Sequence, residues 1–170
     1  LTEPDYFLGS IDYLAEIAEH VKTPLLRKDF VVDEYMIDEA KAAGASAVLL
    51  ICALLEEETL TRYHKHCDEL GLSALVEAHD EEEIQMAVRA GARIIGVNNR
   101  NLKDFTVDIH NGIRLREKVP KEILFVAESG IKTRENIVEL EKGCVNAVLI
   151  GETFMRSENK KQMLQQLKGE

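Results

Sequence analysis

The sequence predicts an α/β fold built on a parallel sheet, and three observations carry that expectation. Short apolar runs rich in β-branched residues recur along the chain, and they are continuous rather than alternating, as in strands buried on both faces. The stretches between them repeat apolar residues at spacings of three and four, which is one face of a helix. Gly44, Gly71, Gly91 and Gly143 each follow such a stretch and stand a few residues before an apolar run. Glycine just past a helix accepts the left-handed backbone that ends it.

Taken in order, residues 1–3 (Leu1-Thr2-Glu3) read as the tail of an earlier strand. Ile11, Leu14 and Ala18 then mark a helix, and residues 24–26 the first full strand. Residues 47–52 form the next strand, after the turn phrase Ala-Gly-Ala-Ser-Ala-Val. Leu60, Tyr63, Cys67 and Leu70 share one helical face, followed by a strand at 74–76. Ile84, Ala87 and Val88 repeat the helical pattern before the strand at 93–97, and two more strands follow at 123–127 and 147–150. Six strand–helix units result, with no linker or low-complexity segment between them, so residues 1–170 read as one domain.

Composition narrows the function. The 170 residues are 45% hydrophobic and 31% charged, as in ordinary globular domains. No apolar run reaches the ~18–20 residues of a membrane span, and no charged-then-apolar leader opens the chain. The sequence starts at Leu1 without a Met, which leaves room for residues upstream. Cys52, Cys67 and Cys144 show no CxxC pairing and sit in apolar stretches, so they read as buried thiols in a reducing cytoplasm. A net charge of −10 argues against nucleic acid as a partner. It would also repel a small anion, so an anionic substrate needs a local cluster of positive groups.

In parallel α/β folds the ligand sits at the carboxyl ends of the strands. Those ends carry Lys28, Glu77, Asn98, then Glu128-Ser129-Gly130, then Gly151-Glu152. Each has a plainer reading: Lys28 as a solvated charge, Asn98 as a turn residue, Gly130 and Gly151 as ordinary turn glycines. Five of the six strands ending this way outweigh any one of them, and the expectation is that Lys28, Glu77, Asn98 and Glu128 converge on one concave face. Arg27 and Asp29 flank Lys28 and by alternation point the other way, as a structural pair would. Gly130 and Gly151 precede the last helices, where free N–H groups and the helix dipole favour an anion. His64 and His66 are two apart on a helix and cannot share a ligand face, and His79 reads as a solvated side chain. No spacing supports a metal site.

Longer motifs now stand out: Thr2-Glu3-Pro4 with Phe7-Leu8-Gly9-Ser10, Leu25-Leu26-Arg27-Lys28-Asp29-Phe30, Leu75-Val76-Glu77, Asn98-Asn99-Arg100-Asn101-Leu102, Glu128-Ser129-Gly130 and Ile150-Gly151-Glu152. In register over essentially the whole chain, this pattern resembles the indole-3-glycerol-phosphate synthase family. The resemblance implies a (β/α)8 TIM-barrel fold, incomplete here, running from the end of barrel strand 2 to the last helix. It implies ring closure, with loss of carbon dioxide and water, of 1-(o-carboxyphenylamino)-1-deoxyribulose 5-phosphate in tryptophan synthesis, with no cofactor. It assigns Lys28 as general acid, Glu77 as acid/base in the dehydration, and Asn98, Glu128 and Ser129 as groups holding substrate and developing charge. Arg100 adds a cation; Phe7, Phe30, Leu49 and Leu75 resemble the apolar walls around the aromatic ring; Gly130, Gly151 and Glu152 match the phosphate cradle.

The family's first strand supplies a further catalytic lysine, a glutamate partner and part of the phosphate site, and these 170 residues do not contain it. The resemblance therefore implies little or no turnover by this stretch alone, and either self-association through open sheet edges or pairing with a missing N-terminal segment. The alternatives are a non-catalytic phosphate-ligand binder and a self-associating barrel fragment.

Overall fold

The apolar runs become six strands and the stretches between them become helices, as the periodicity requires. The computed structural model describes residues 1–100 and 106–170; Asn101 and Leu102 of the Asn-Asn-Arg-Asn-Leu motif lie outside the described residues. Two compact units make up the chain: Leu1–Glu77 with Gln85–Arg93, and Ala78–Ile84 with Ile94–Glu170.

The first unit begins with helix α1 (Ile11–His20), whose N-cap Ser10 accepts a hydrogen bond from the Asp12 amide. Then come strand β1 (Leu26–Arg27), helix α2 (Tyr35–Ala42), strand β2 (Ala47–Ile51), a short turn of 3-10 helix (Cys52–Leu54), helix α3 (Glu57–Glu69) and strand β3 (Ser73–Ala78). Both strand pairings are parallel: Arg27 lies beside Val48, Leu49 beside Leu75, and Ile51 beside Glu77. Arg27 reaches α2, so Arg27, Val48, Leu50 and Val76 face the helices. Leu49, Ile51, Leu75 and Glu77 occupy the other face. Leu60, Tyr63 and Cys67 are buried, as their spacing required.

The second unit holds strands β4 (Ile94–Asn98), β5 (Leu124–Glu128) and β6 (Ala147–Leu149), again parallel, with helices α5 (His110–Arg116), α6 (Arg134–Lys142), α7 (Glu152–Arg156) and α8 (Lys160–Lys168). Ala127, Ile131 and Leu140 form a core against which Ile113, Ile137, Val145, Val148 and Ile150 pack. Register then puts Asn98, Glu128 and Leu149 together on the face away from that core. Helix α4 (Glu81–Arg89) buries Ile84 and Ala87.

Five local expectations need correction. The first strand is only Leu26–Arg27, because Pro24 has no N–H to donate and the Leu25 amide donates to the Ser46 hydroxyl at 3.3 Å. Residues 1–3 are not a strand, although the Thr2 amide donates to the Lys28 carbonyl at 3.2 Å. His79 is not simply solvated: its amide and its ring both meet the Glu83 carboxylate, at 2.8 and 3.1 Å. The fourth concerns the last glycine turn. Gly44, Gly71 and Gly91 have positive φ, but Gly143 has φ −77° and the left-handed position falls one residue later, on Cys144 at φ 60°.

That offset has a packing cause. A Cβ on Gly143 would meet both γ carbons of Ile113 at 3.0 Å, so glycine is spent on close approach, leaving Cys144 the backbone conformation that an L side chain resists. Cys144 is exposed, not buried; Cys52 and Cys67 are buried. Cys144→Gly is therefore expected to stabilise the fold by about 0.5–1 kcal/mol and Gly143→Ala to destabilise it. Urea denaturation of the two variants reads both signs.

One buried histidine links the fold to pH. His64 is 5% exposed, with its Nδ1 3.9 Å from the Asp68 carboxylate, which Arg93 grips in a two-point ion pair. Burial holds the imidazole below its usual 6.5, only partly offset by Asp68. Above 6.5 it is neutral folded and unfolded. Below that the unfolded chain binds the proton more readily, so stability falls as pH drops toward the depressed folded value. Asp68, held below its usual 3.8 chiefly by its hydrogen bond to Arg93, adds its own loss only in stronger acid. The urea midpoint should thus fall as pH drops below 6.5, and His64→Leu should flatten that dependence.

Candidate functional site

The polar residues picked out at strand ends do lie at the carboxyl ends of their strands, and each unit presents its own set. In the first unit Glu77 is buried near the carboxyl end of β3 at 3% exposure, next to Ile51 in register. Continuing β1 by one residue sets Lys28 opposite Leu49, so alternation gives Lys28, Leu49, Leu75 and Glu77 the same face of the sheet. Leu49 and Leu75 are buried, whereas Phe7 and Phe30 are largely exposed and lie edge-tilted against each other with centroids 6.2 Å apart. A base, an acid and apolar surface therefore share one side of this unit.

The residues around Lys28 are tied down. Arg27 is buried and reaches Asp29 at 3.2 Å, Glu39 at 2.8 Å and the Met36 carbonyl at 2.6 Å. Glu3, also buried, accepts hydrogen bonds from the amides of Asp5, Tyr6 and Phe7 and so shapes the turn that carries Phe7. Alternation marks Arg27 and Asp29 as a structural pair, but does not single out Thr2 and Glu3. The available signal was two polar residues, Thr2 and Glu3, next to each other in a stretch taken for buried strand.

In the second unit Asn98 and Glu128 are register partners, and Glu128 is 1% exposed. The chain after Glu128 turns through two successive left-handed residues, Ser129 at φ 68° and Gly130 at φ 78°. Such backbone costs roughly 1–3 kcal/mol at a non-glycine and persists only where surroundings impose it. Here the Ser129 carbonyl accepts from Asn99 Nδ2 at 3.2 Å, and a Cβ on Gly130 would come 2.2 Å from Val107. Asn99 itself is buried, and its Oδ1 accepts from the Gly112 amide at 3.0 Å. Its structural role was invisible beside Asn98, since two adjacent asparagines look alike in sequence.

Gly151 caps α7 and Glu152 opens it. The Thr153 hydroxyl donates to the Ile131 carbonyl at 2.6 Å, tying this turn to the one after Gly130. Arg100 meets the Glu152 carboxylate at 3.0 Å, and Arg156 meets it at 2.9 Å. Arg156 foremost, and Arg100 less, hold that carboxyl below the usual carboxylate range. Any anion bound here would use the Glu152 amide, not its charged side chain.

A family model described as indole-3-glycerol phosphate synthase matches residues 1–167. The chain belongs to the indole-3-glycerol phosphate synthase family. Among its relatives, the indole-3-glycerol phosphate synthase of Lachnoclostridium phytofermentans is 58% identical over 168 residues, covering 99% of this chain and 62% of the relative. That of Leuconostoc mesenteroides is 58% identical over 170 residues, covering 100% of this chain and 65% of the relative. The chain thus spans under two thirds of the length of these family members. Among solved structures, 3-hexulose-6-phosphate synthase from Salmonella typhimurium superposes with a TM-score of 0.84 at 14% identity, covering 99% of this chain and 83% of that one. A chain of the tryptophan synthase complex from Pyrococcus furiosus gives 0.73 at 18%, covering 95% and 72%. At such identities the likeness shows the fold alone, which is the α/β TIM-barrel class. Indole-3-glycerol phosphate synthase family membership rests on the sequence. Among the described residues no helix is long and apolar enough to cross a membrane.

Proposed function

We propose that this chain carries acid–base and phosphate-binding residues for indole-3-glycerol phosphate synthesis. The reaction is ring closure of 1-(o-carboxyphenylamino)-1-deoxyribulose 5-phosphate with loss of carbon dioxide and water. The family match over residues 1–167 carries the reading. The strand-end positions of the motif residues support it.

In this reading the Lys28 ammonium protonates or polarises the substrate carbonyl as the aromatic ring attacks. Glu77 moves a proton in the dehydration, on the sheet face it shares with Leu49 and Leu75, which with Phe7 and Phe30 offer apolar surface to the ring. Asn98, Glu128 and Ser129 hold the substrate and the charges that develop, and Arg100 adds a cation. Gly130, Gly151 and Glu152 supply backbone N–H groups to the phosphate, an anion that a chain of net charge −10 must attract locally. A cytoplasmic setting suits the buried Cys52 and Cys67 thiols, the latter pushed up to about 12 by burial.

Steady-state formation of indole-3-glycerol phosphate by the protein that carries these residues tests the reading. Binding of the substrate without turnover would favour the phosphate-ligand binder instead. We propose self-association as well. Among the described residues β6 is the last strand of its sheet and pairs with β5, and an open strand edge accepts another chain. Sedimentation at micromolar concentration is expected to show a dimer or larger closed assembly, and a folded monomer is the contrary result.

A further inference from the structure

We infer that Thr2, with Asp29, is a positioning residue for Lys28; the inference deepens the reading of Lys28 as the general acid and rests on it. Thr2 lies 26 positions before Lys28 in the chain, yet it is bonded to every residue of the Arg27-Lys28-Asp29 stretch. Its amide donates to the Lys28 carbonyl at 3.2 Å. Its hydroxyl donates to Asp29 Oδ2 at 2.5 Å and accepts from Arg27 Nε at 3.3 Å. Asp29 Oδ1 accepts from the Phe30 amide at 2.8 Å, fixing the chain just beyond the lysine. Thr2, Arg27 and Asp29 are all buried, whereas Lys28 is half-buried.

The strand itself does not explain how Lys28 is held. Strand β1 ends at Arg27, so Lys28 sits past the last ladder residue, where a chain normally gains freedom. Thr2 replaces the missing ladder with one backbone bond and one shared hydroxyl. Because side chains alternate, the buried anchors on either side point one way and Lys28 the other. A tilt of the Arg27-Lys28-Asp29 backbone would swing the ammonium at the end of a four-carbon stem, and misplacement by ~1 Å can cost about 10²-fold in rate. Substrate affinity drawn from the phosphate-binding turns would be little changed.

The test compares Thr2→Val, which keeps the shape and loses the hydroxyl, with Thr2→Ser, which keeps the hydroxyl. Turnover is measured with the missing N-terminal segment supplied and normalised to folded protein, and hydrogen exchange is followed at the Phe30 amide. Thr2→Val is expected to lower kcat about tenfold or more with KM within about twofold, and to speed exchange at Phe30, while Thr2→Ser restores both. Asp29→Asn should show the same split between kcat and KM. Unchanged kcat and unchanged Phe30 exchange in Thr2→Val would overturn the inference. Lys28→Met separates the two ideas: if it keeps full turnover, the general-acid reading fails. If it abolishes turnover while Thr2→Val stays normal, only the positioning role fails.

Discussion

Replacing Lys28 with methionine is expected to lower turnover by roughly 10²–10⁴-fold, the span over which a positioned general acid acts. Methionine keeps much of the unbranched length and removes the ammonium. The Arg27, Asp29 and Thr2 contacts that shape this segment do not use the Lys28 side chain, so the fold should survive. The loss should appear in kcat and kcat/KM together, since a proton delivered as the ring closes contributes in the transition state and not in substrate binding. Steady-state kinetics at saturating substrate, with the missing N-terminal segment supplied, measure it. A fall of less than about threefold would remove Lys28 from the chemistry and leave it as the solvated charge that its sequence position also allows.

The largest stability effect is expected one residue earlier. Arg27 is buried beside Asp29, with side chains 5% and 7% exposed, and the same guanidinium reaches Glu39. Two charges taken out of water in this way are poor evidence of net stabilisation, because desolvation offsets much of their attraction. Removing one partner is another matter. Arg27→Met would strand the Asp29 carboxylate in the interior and remove the Arg27 donor from the Met36 carbonyl, a loss of about 3–5 kcal/mol. That approaches the whole stability of many domains. Urea or thermal unfolding would show it, and adding Asp29→Asn to Arg27→Met should recover part of the loss by removing the orphaned charge. A loss below about 1 kcal/mol would mean that water reaches the pair.

How much of this was legible beforehand follows from which interactions are local. Leu60, Tyr63 and Cys67 could be assigned to one buried face because a helix repeats every 3.6 residues, and burial then selects that face. Glu77, Asn98 and Glu128 stood out because a charge or amide at the end of a β-branched run has few structural reasons to be there. The turn glycines were right at Gly44, Gly71 and Gly91 and wrong at Gly143, where contact with Ile113, 30 residues away in the chain, displaced the left-handed position onto Cys144. The apolar neighbours of Cys144 suggest burial, but the turn leaves it exposed. Nothing periodic could have joined Thr2 to Asp29, nor Asn99 to Ser129 and Gly112.

By itself the sequence determined the α/β class, the order of strands and helices, the polar residues at the strand ends and the family. All of these rest on spacing, residue type and motifs, which act over short stretches of chain. The tertiary structure alone decided that Lys28 shares a sheet face with Leu49, Leu75 and Glu77, because faces depend on the register between strands. It alone decided that Thr2 holds the segment around Lys28, and that Asn99 holds the turn at Ser129. The physical reason is the same in each case. Buried polar groups must find partners, and the partner is whichever group the packing of distant segments brings within about 3 Å.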